Sequence, residues 1–264
     1  MIEVPEEIQE WDNLYWDNRS EYENRIKEIN KIFELEDGKG FQIHPPTFFA
    51  GDVHSQEIRY VFIGLNPGYD DNSPKEIEWR RKRRKEEKLR DCLDLFEYFG
   101  TLKNFPRYYT RLIKLCPDYE TSSTKKQREE FCNKYVVNID AFPFHSKNNN
   151  KDIGSFTPDQ LTRFFGFWTI SKKLIRNIHN AWIIVVGRGN YKLLLFDPEV
   201  GYKKLKLIQT IKKQKKGYVH IYTFELCDRR GILIDTFLTG GNRLPKEVDH
   251  AINTSVKEIL SSAG

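Results

Sequence analysis

The chain has 264 residues and a mass of 31.4 kDa, enough for one large α/β domain or two small ones, and its hydrophobic (39%) and aromatic (14%) fractions exclude disorder as the default state despite 31% charged residues. No apolar run approaches the ~18 residues of a membrane span, and an acidic stretch instead of an apolar export segment follows Met1, so a cytoplasmic protein is expected. The net charge of +5 is unevenly spread: residues 1–37 carry twelve acids against four bases, a net −8, which leaves +13 on the rest and points to a polyanionic partner.

Apolar residues at helical spacing (Ile8, Trp11, Tyr15, then Tyr22, Ile26, Ile29, Phe33) predict one or two amphipathic helices over 6–33, an acidic extension (residues 1–40) packed on a main domain of residues 41–264. Tyr60-Val61-Phe62-Ile63 reads as a buried strand running into Gly64-Leu65-Asn66-Pro67-Gly68, and Ser73–Phe99 as a helix. The basic run Arg80–Lys85 in that helix reads as a solvated face, and residues 73–115 as a basic helical insertion with a shorter helix at its end. A second strand, Tyr135–Ile139, enters Asp140-Ala141-Phe142-Pro143-Phe144. Thr157-Pro158-Asp159 starts a helix in the N-cap manner, and Trp182–Val186 is a third strand.

Residues 197–217 read as a lysine-rich insertion, either a mobile solubilising loop or a polyanion contact through Lys212 and Lys213. Val219–Leu226 and Ile232–Leu238 form a predicted hairpin, followed by the loop Thr239-Gly240-Gly241-Asn242-Arg243 and a last helix over 245–260. Strands alternating with helices predict an α/β fold: three layers, helices on both faces of a central, mainly parallel four-stranded sheet. His145 and His220 read as packed or surface residues, with no metal spacing around them. Cys92, Cys116, Cys132 and Cys227 contain no C-x-x-C and read as free buried thiols.

Three loops stand at strand ends: GLNPG (64–68), the NIDAFPF stretch from Asn138, and TGGNR (239–243). Any one alone reads as a tight turn, a satisfied strand amide or a helix-entry loop. Their ordered combination, over about residues 42–260, resembles the uracil-DNA glycosylase superfamily, closest to its mismatch-specific branch with the GLNPG form of the first motif. The resemblance implies a monofunctional DNA N-glycosylase that flips a pyrimidine, hydrolyses its N-glycosidic bond and leaves an abasic site, acting as a monomer without cofactor or metal.

By that resemblance Asn66 positions the attacking water and Asp70 helps stabilise the cationic sugar. Gly64, Leu65, Gly68, Tyr69, Asn138 and Phe142 surround the base, with Asn138 reading its Watson–Crick edge, and Tyr69, Tyr108, Phe142 and Phe144 stay open as the stacking platform. Gly240, Gly241, Asn242 and Arg243 meet the DNA backbone or fill the gap left by the base.

Two departures shape the expected substrate. Gly68 stands where uracil-specific members carry a tyrosine that blocks C5, and 239–243 holds no histidine. Both favour a bulkier, C5-modified pyrimidine such as the hydroxymethylated or glucosylated cytosine of phage DNA, hence a role in antiviral defence. The fifteen residues between Cys116 and Cys132 match one cysteine pair of the family's iron–sulfur branch, but the other pair is missing and no cluster is expected. The alternative function is a catalytically inactive nucleic-acid-binding member of the same fold.

Overall fold

The structure is a computed structural model that describes residues 4–35, 40–65, 67, 73–85, 107–120, 123–146, 157–163, 165–213, 217–236 and 244–262. Its centre is a seven-stranded sheet. In chain order the strands are β1 (Phe49–Ala50), β2 (Tyr60–Gly64), β3 (Val136–Asp140), β4 (Trp182–Val186), β5 (Lys206–Lys212), β6 (Tyr218–Leu226) and β7 (Arg229–Ile234), arranged β1-β3-β2-β4-β7-β6-β5. The four neighbours β3, β2, β4 and β7 are parallel, with β1 antiparallel at one edge and the β6–β5 pair antiparallel at the other.

Strand alternation divides the core in two. Val61, Ile63, Ile183, Val185 and Leu233 point to one face, Phe62, Ile184, Val186, Ile232 and Ile234 to the other, so the parallel strands are apolar at nearly every position, as a sheet covered on both sides requires. The first face is covered by α1 (Glu6–Asp17) and α2 (Arg19–Ile32), together with α6 (Pro158–Arg163), α7 (Phe165–Asn177) and α8 (Arg188–Phe196). The second is covered by α4 (Arg107–Leu112), its 3-10 extension Ile113–Leu115, α5 (Lys125–Tyr135) and α10 (Lys246–Ser261). Also among the described residues are α3 (Ser73–Lys85) and the single turn α9 (Gly201–Lys204).

Local chemistry sets these boundaries. Asn18 separates α1 from α2, its side chain accepting from the Glu21 N–H, which resolves the amino-terminal stretch into two helices. Thr124 and Gln127 form a reciprocal capping box at the start of α5, and the chain passes from Tyr135 straight into β3. At Gly187 a φ of 101° turns the chain from β4 into α8, a conformation a side chain would strain.

The sheet has seven strands where the sequence predicts four. β1 is two residues long, too short to announce itself. β5 lies inside the predicted lysine-rich loop, where Leu207, Gln209 and Ile211 pair with β6 in spite of the surrounding lysines. Arg80, expected on a solvated face, is 1% exposed: its guanidinium donates to Asp12 Oδ1 at 3.1 Å, Pro46 O at 3.0 Å and Thr47 Oγ1 at 3.3 Å, tying α3 to α1. A buried cation is retained only where acceptors surround it. Among the described residues no helix is long and apolar enough to cross a membrane.

Candidate functional site

The carboxyl ends of parallel strands in an open α/β sheet are where loops diverge and leave room for a ligand. At that end of β3, Asn138 and Asp140 are two residues apart and therefore share a face, the one on which Phe62 of β2 also lies. Both are buried, at 3% and 5% exposure. The Asn138 amide nitrogen donates to Asp140 Oδ2 at 3.2 Å, while its Oδ1 is buried and has no hydrogen-bond partner among the described residues. An ionised carboxylate only accepts, so the reverse orientation would set oxygen against oxygen. Asp140 thereby fixes which end of the Asn138 amide turns away from it: the carbonyl acceptor.

Asp140 is itself held. Its main-chain N–H donates to Phe48 O at 2.9 Å and its main-chain carbonyl accepts from Ser171 Oγ at 2.8 Å. Its carboxylate lies against Gly64, the last residue of β2, where an added Cβ would meet Asp140 Oδ1 at 2.0 Å and Asn138 Nδ2 at 3.5 Å. Tyr108 of α4 packs on the same face, with a buried hydroxyl that has no partner among the described residues. Burial first, and then the negative charge of Asp140, push its phenol well above the ordinary range, so it stays neutral. A buried acceptor or hydroxyl left unpaired costs about 1–3 kcal/mol, and a ligand offering a matching N–H or C=O removes that cost.

The loop after β2 is bound to the segment after β3: Ala141 N–H donates to Gly64 O and Phe142 N–H to Leu65 O, each at 2.9 Å, and Ser146 N–H to Pro67 O at 3.2 Å. Gly64 lies against Asn138 and Asp140, whereas Leu65 packs on the core of the opposite face. Asn66, Gly68, Tyr69 and Asp70 lie outside the described residues, as do Gly240, Gly241, Asn242 and Arg243. Phe142 and Phe144 are fully buried on the opposite face, where Phe144 packs edge-on against Trp11 and Phe167 at 5.1 and 4.9 Å. Lys212 is exposed at the end of β5, and Lys213 donates to Thr236 Oγ1 at 3.3 Å, just ahead of the last loop.

Of the two other histidines singled out, His145 is packed, its Nε2 2.9 Å from Thr47 Oγ1 and its ring 3.7 Å from that of His44. His220 is half-buried against Asp235, Nδ1 to Oδ2 at 2.6 Å. Cys116, Cys132 and Cys227 are free and buried, with thiols pushed up mainly by desolvation. Among the described residues no three His, Cys, Asp or Glu side chains are placed to hold a metal ion.

Asp140 was not among the sequence candidates. Its signal was present: in N-x-D on a strand both side chains fall on one face, but an aspartate at a strand end reads first as a turn residue. No family model matches the chain, and no curated protein or solved structure matches it either.

Proposed function

We propose that this protein is a DNA glycosylase of the uracil-DNA glycosylase type, which everts a damaged or C5-modified pyrimidine and hydrolyses its N-glycosidic bond. The observation that carries this reading is the Asn138 amide: buried, oriented by Asp140, with a carbonyl oxygen that has no partner among the described residues, at the carboxyl end of a parallel strand whose neighbour leads into GLNPG. An acceptor so held suits an imide N–H or an exocyclic amine, the donors on a pyrimidine's pairing edge. Tyr108 adds a neutral hydroxyl on the same side. The order β3-β2-β4-β7 of the parallel strands and the helices on both faces support the three-layer architecture that the resemblance implies.

In this reaction the C1′–N bond breaks with its electron pair leaving on the base, and water adds to C1′ and releases a proton. In this reading Asn66 is the residue assigned to the water. A neutral asparagine is a weak base, so the bond itself carries much of the barrier and turnover is slow. Glycine at position 68, where uracil-specific members of the family carry a tyrosine, favours hydroxymethylated or glucosylated cytosine over uracil.

Incubation with duplexes carrying defined pyrimidines, followed by mass spectrometry of released bases and cleavage at abasic sites, tests the reading. Release of a C5-modified base, abolished in Asn66→Ala while DNA binding persists, supports it. Release of unmodified uracil alone removes the substrate assignment, and binding without abasic sites leaves a nucleic-acid-binding protein of the same fold.

A further inference from the structure

A second surface lies at the same end of the sheet, on the other face. Along β6 the even-numbered residues alternate with the buried Val219 and Ile221, and directly paired residues of antiparallel strands share a face, so Lys212 of β5 sits beside Tyr218 and Thr210 beside His220. Phe224 and Leu226 on that face are buried in the core, Tyr222 is half-buried beneath Tyr191 of α8, and Tyr218 is 54% exposed. Among the described residues the helical cover therefore stops at Tyr222, and the aromatic row continues past it.

The row is evenly spaced: ring centroids are 6.3 Å apart from Tyr218 to His220, 6.2 Å from His220 to Tyr222 and 5.5 Å from Tyr222 to Tyr191. Asp235 fixes the His220 ring, accepting from its main-chain N–H at 2.9 Å and pairing with Nδ1 at 2.6 Å, which engages both oxygens of the carboxylate. Burial, and after it Tyr191, push the Tyr222 phenol up to about 12, so it stays neutral where it packs against Tyr191 and anchors the row. Lys212, the register partner of Tyr218, borders the row.

We infer that this face binds an unpaired nucleic-acid strand, its bases stacked on Tyr218 and His220 and its phosphates met by Lys212. The spacing exceeds the ~3.4 Å rise of a stacked duplex strand, so it suits bases laid one to a ring. Rings held on a sheet bind without losing much freedom, and Lys212 supplies the complementary charge. The inference goes beyond base excision and does not depend on it.

The test is the equilibrium affinity of the full chain for a fluorescent oligothymidylate and for the same oligonucleotide in a duplex, over a salt series. The single strand is expected to bind more tightly. Tyr218→Ala should raise its Kd about tenfold with no change in salt slope, whereas Lys212→Gln should flatten that slope by roughly 0.7. Both positions are exposed, so folding is preserved. Wild-type affinity in both variants, a preference for duplex, or self-association through this face in sedimentation would overturn the inference. Strand binding by a protein that releases no base keeps it and removes only the excision reading. Base release from duplex with Tyr218→Ala silent in strand binding does the reverse.

Discussion

Gly64 and Asp140 are register partners at the ends of two parallel strands, and the Asp140 carboxylate occupies the space where a side chain at position 64 would begin. Gly64→Ala should therefore displace that carboxylate and cost about 1–3 kcal/mol of stability, as overpacking does. Asp140→Ala should relieve the clash. A double-mutant cycle in urea unfolding is expected to show the pair strongly non-additive, and additive effects would separate the two residues.

Asp140→Asn keeps the shape but gives Asn138 a partner that either donates or accepts. The Asn138 carbonyl is then no longer singled out to face a ligand. Base release should fall by about tenfold or more, with discrimination between pyrimidines weakened and thermal stability little altered, a split that a purely structural role for Asp140 would not produce. Parallel assays on two modified pyrimidines with one melting curve measure it.

The buried pair Arg80–Asp12 makes a strong stability prediction. Arg80→Ala removes the guanidinium from the buried Asp12, which keeps the Trp16 indole N–H at 3.2 Å, and should destabilise the fold by about 3 kcal/mol. Arg80→Lys should recover only part of this, because a single ammonium cannot reach Asp12, Pro46 O and Thr47 together. Denaturant titration gives both values, and limited proteolysis should show the amino-terminal helices released first.

Lys172, buried in α7, donates to Asp197 at 2.9 Å and Glu199 at 3.1 Å, and Arg176 reaches the same Glu199 oxygen. Desolvation raises the Glu199 pKa, but the Lys172 hydrogen bond and the charges of Lys172 and Arg176 outweigh it and leave the pKa lowered. A carboxylate with a depressed folded pKa contributes stability that is full above its unfolded value and lost as pH falls through the folded one. Stability should thus drop on acidification below the usual carboxylate range, and Glu199→Gln should blunt the drop. Melting temperatures across that range check the sign.

The parallel strands were legible because burial on both faces writes them as nearly continuous apolar runs, Tyr60–Ile63, Val136–Ile139 with Asn138 alone polar, and Trp182–Val186. β5 was not, because a strand on an outer edge needs few apolar residues and its lysines mask the period. Arg80 was hidden for a different reason: within six consecutive basic residues nothing local marks the one that meets an acid 68 positions earlier. At the candidate site Asn138 was legible from its place in a strand, whereas the roles of Asp140 and Tyr108 depend on a cross-strand glycine and on a helix from a remote segment.

β2 takes its two neighbours from segments made much later, β3 at 136–140 and β4 at 182–186. A growing polypeptide must pass its midpoint before the first of these can dock, and until then Tyr60–Gly64 leaves the ribosome as an apolar ribbon with both edges open. Neighbouring nascent chains offer the same ribbon. Slow synthesis at low temperature, or a holding chaperone, should thus raise the yield of native protein more than any stabilising substitution on the finished surface.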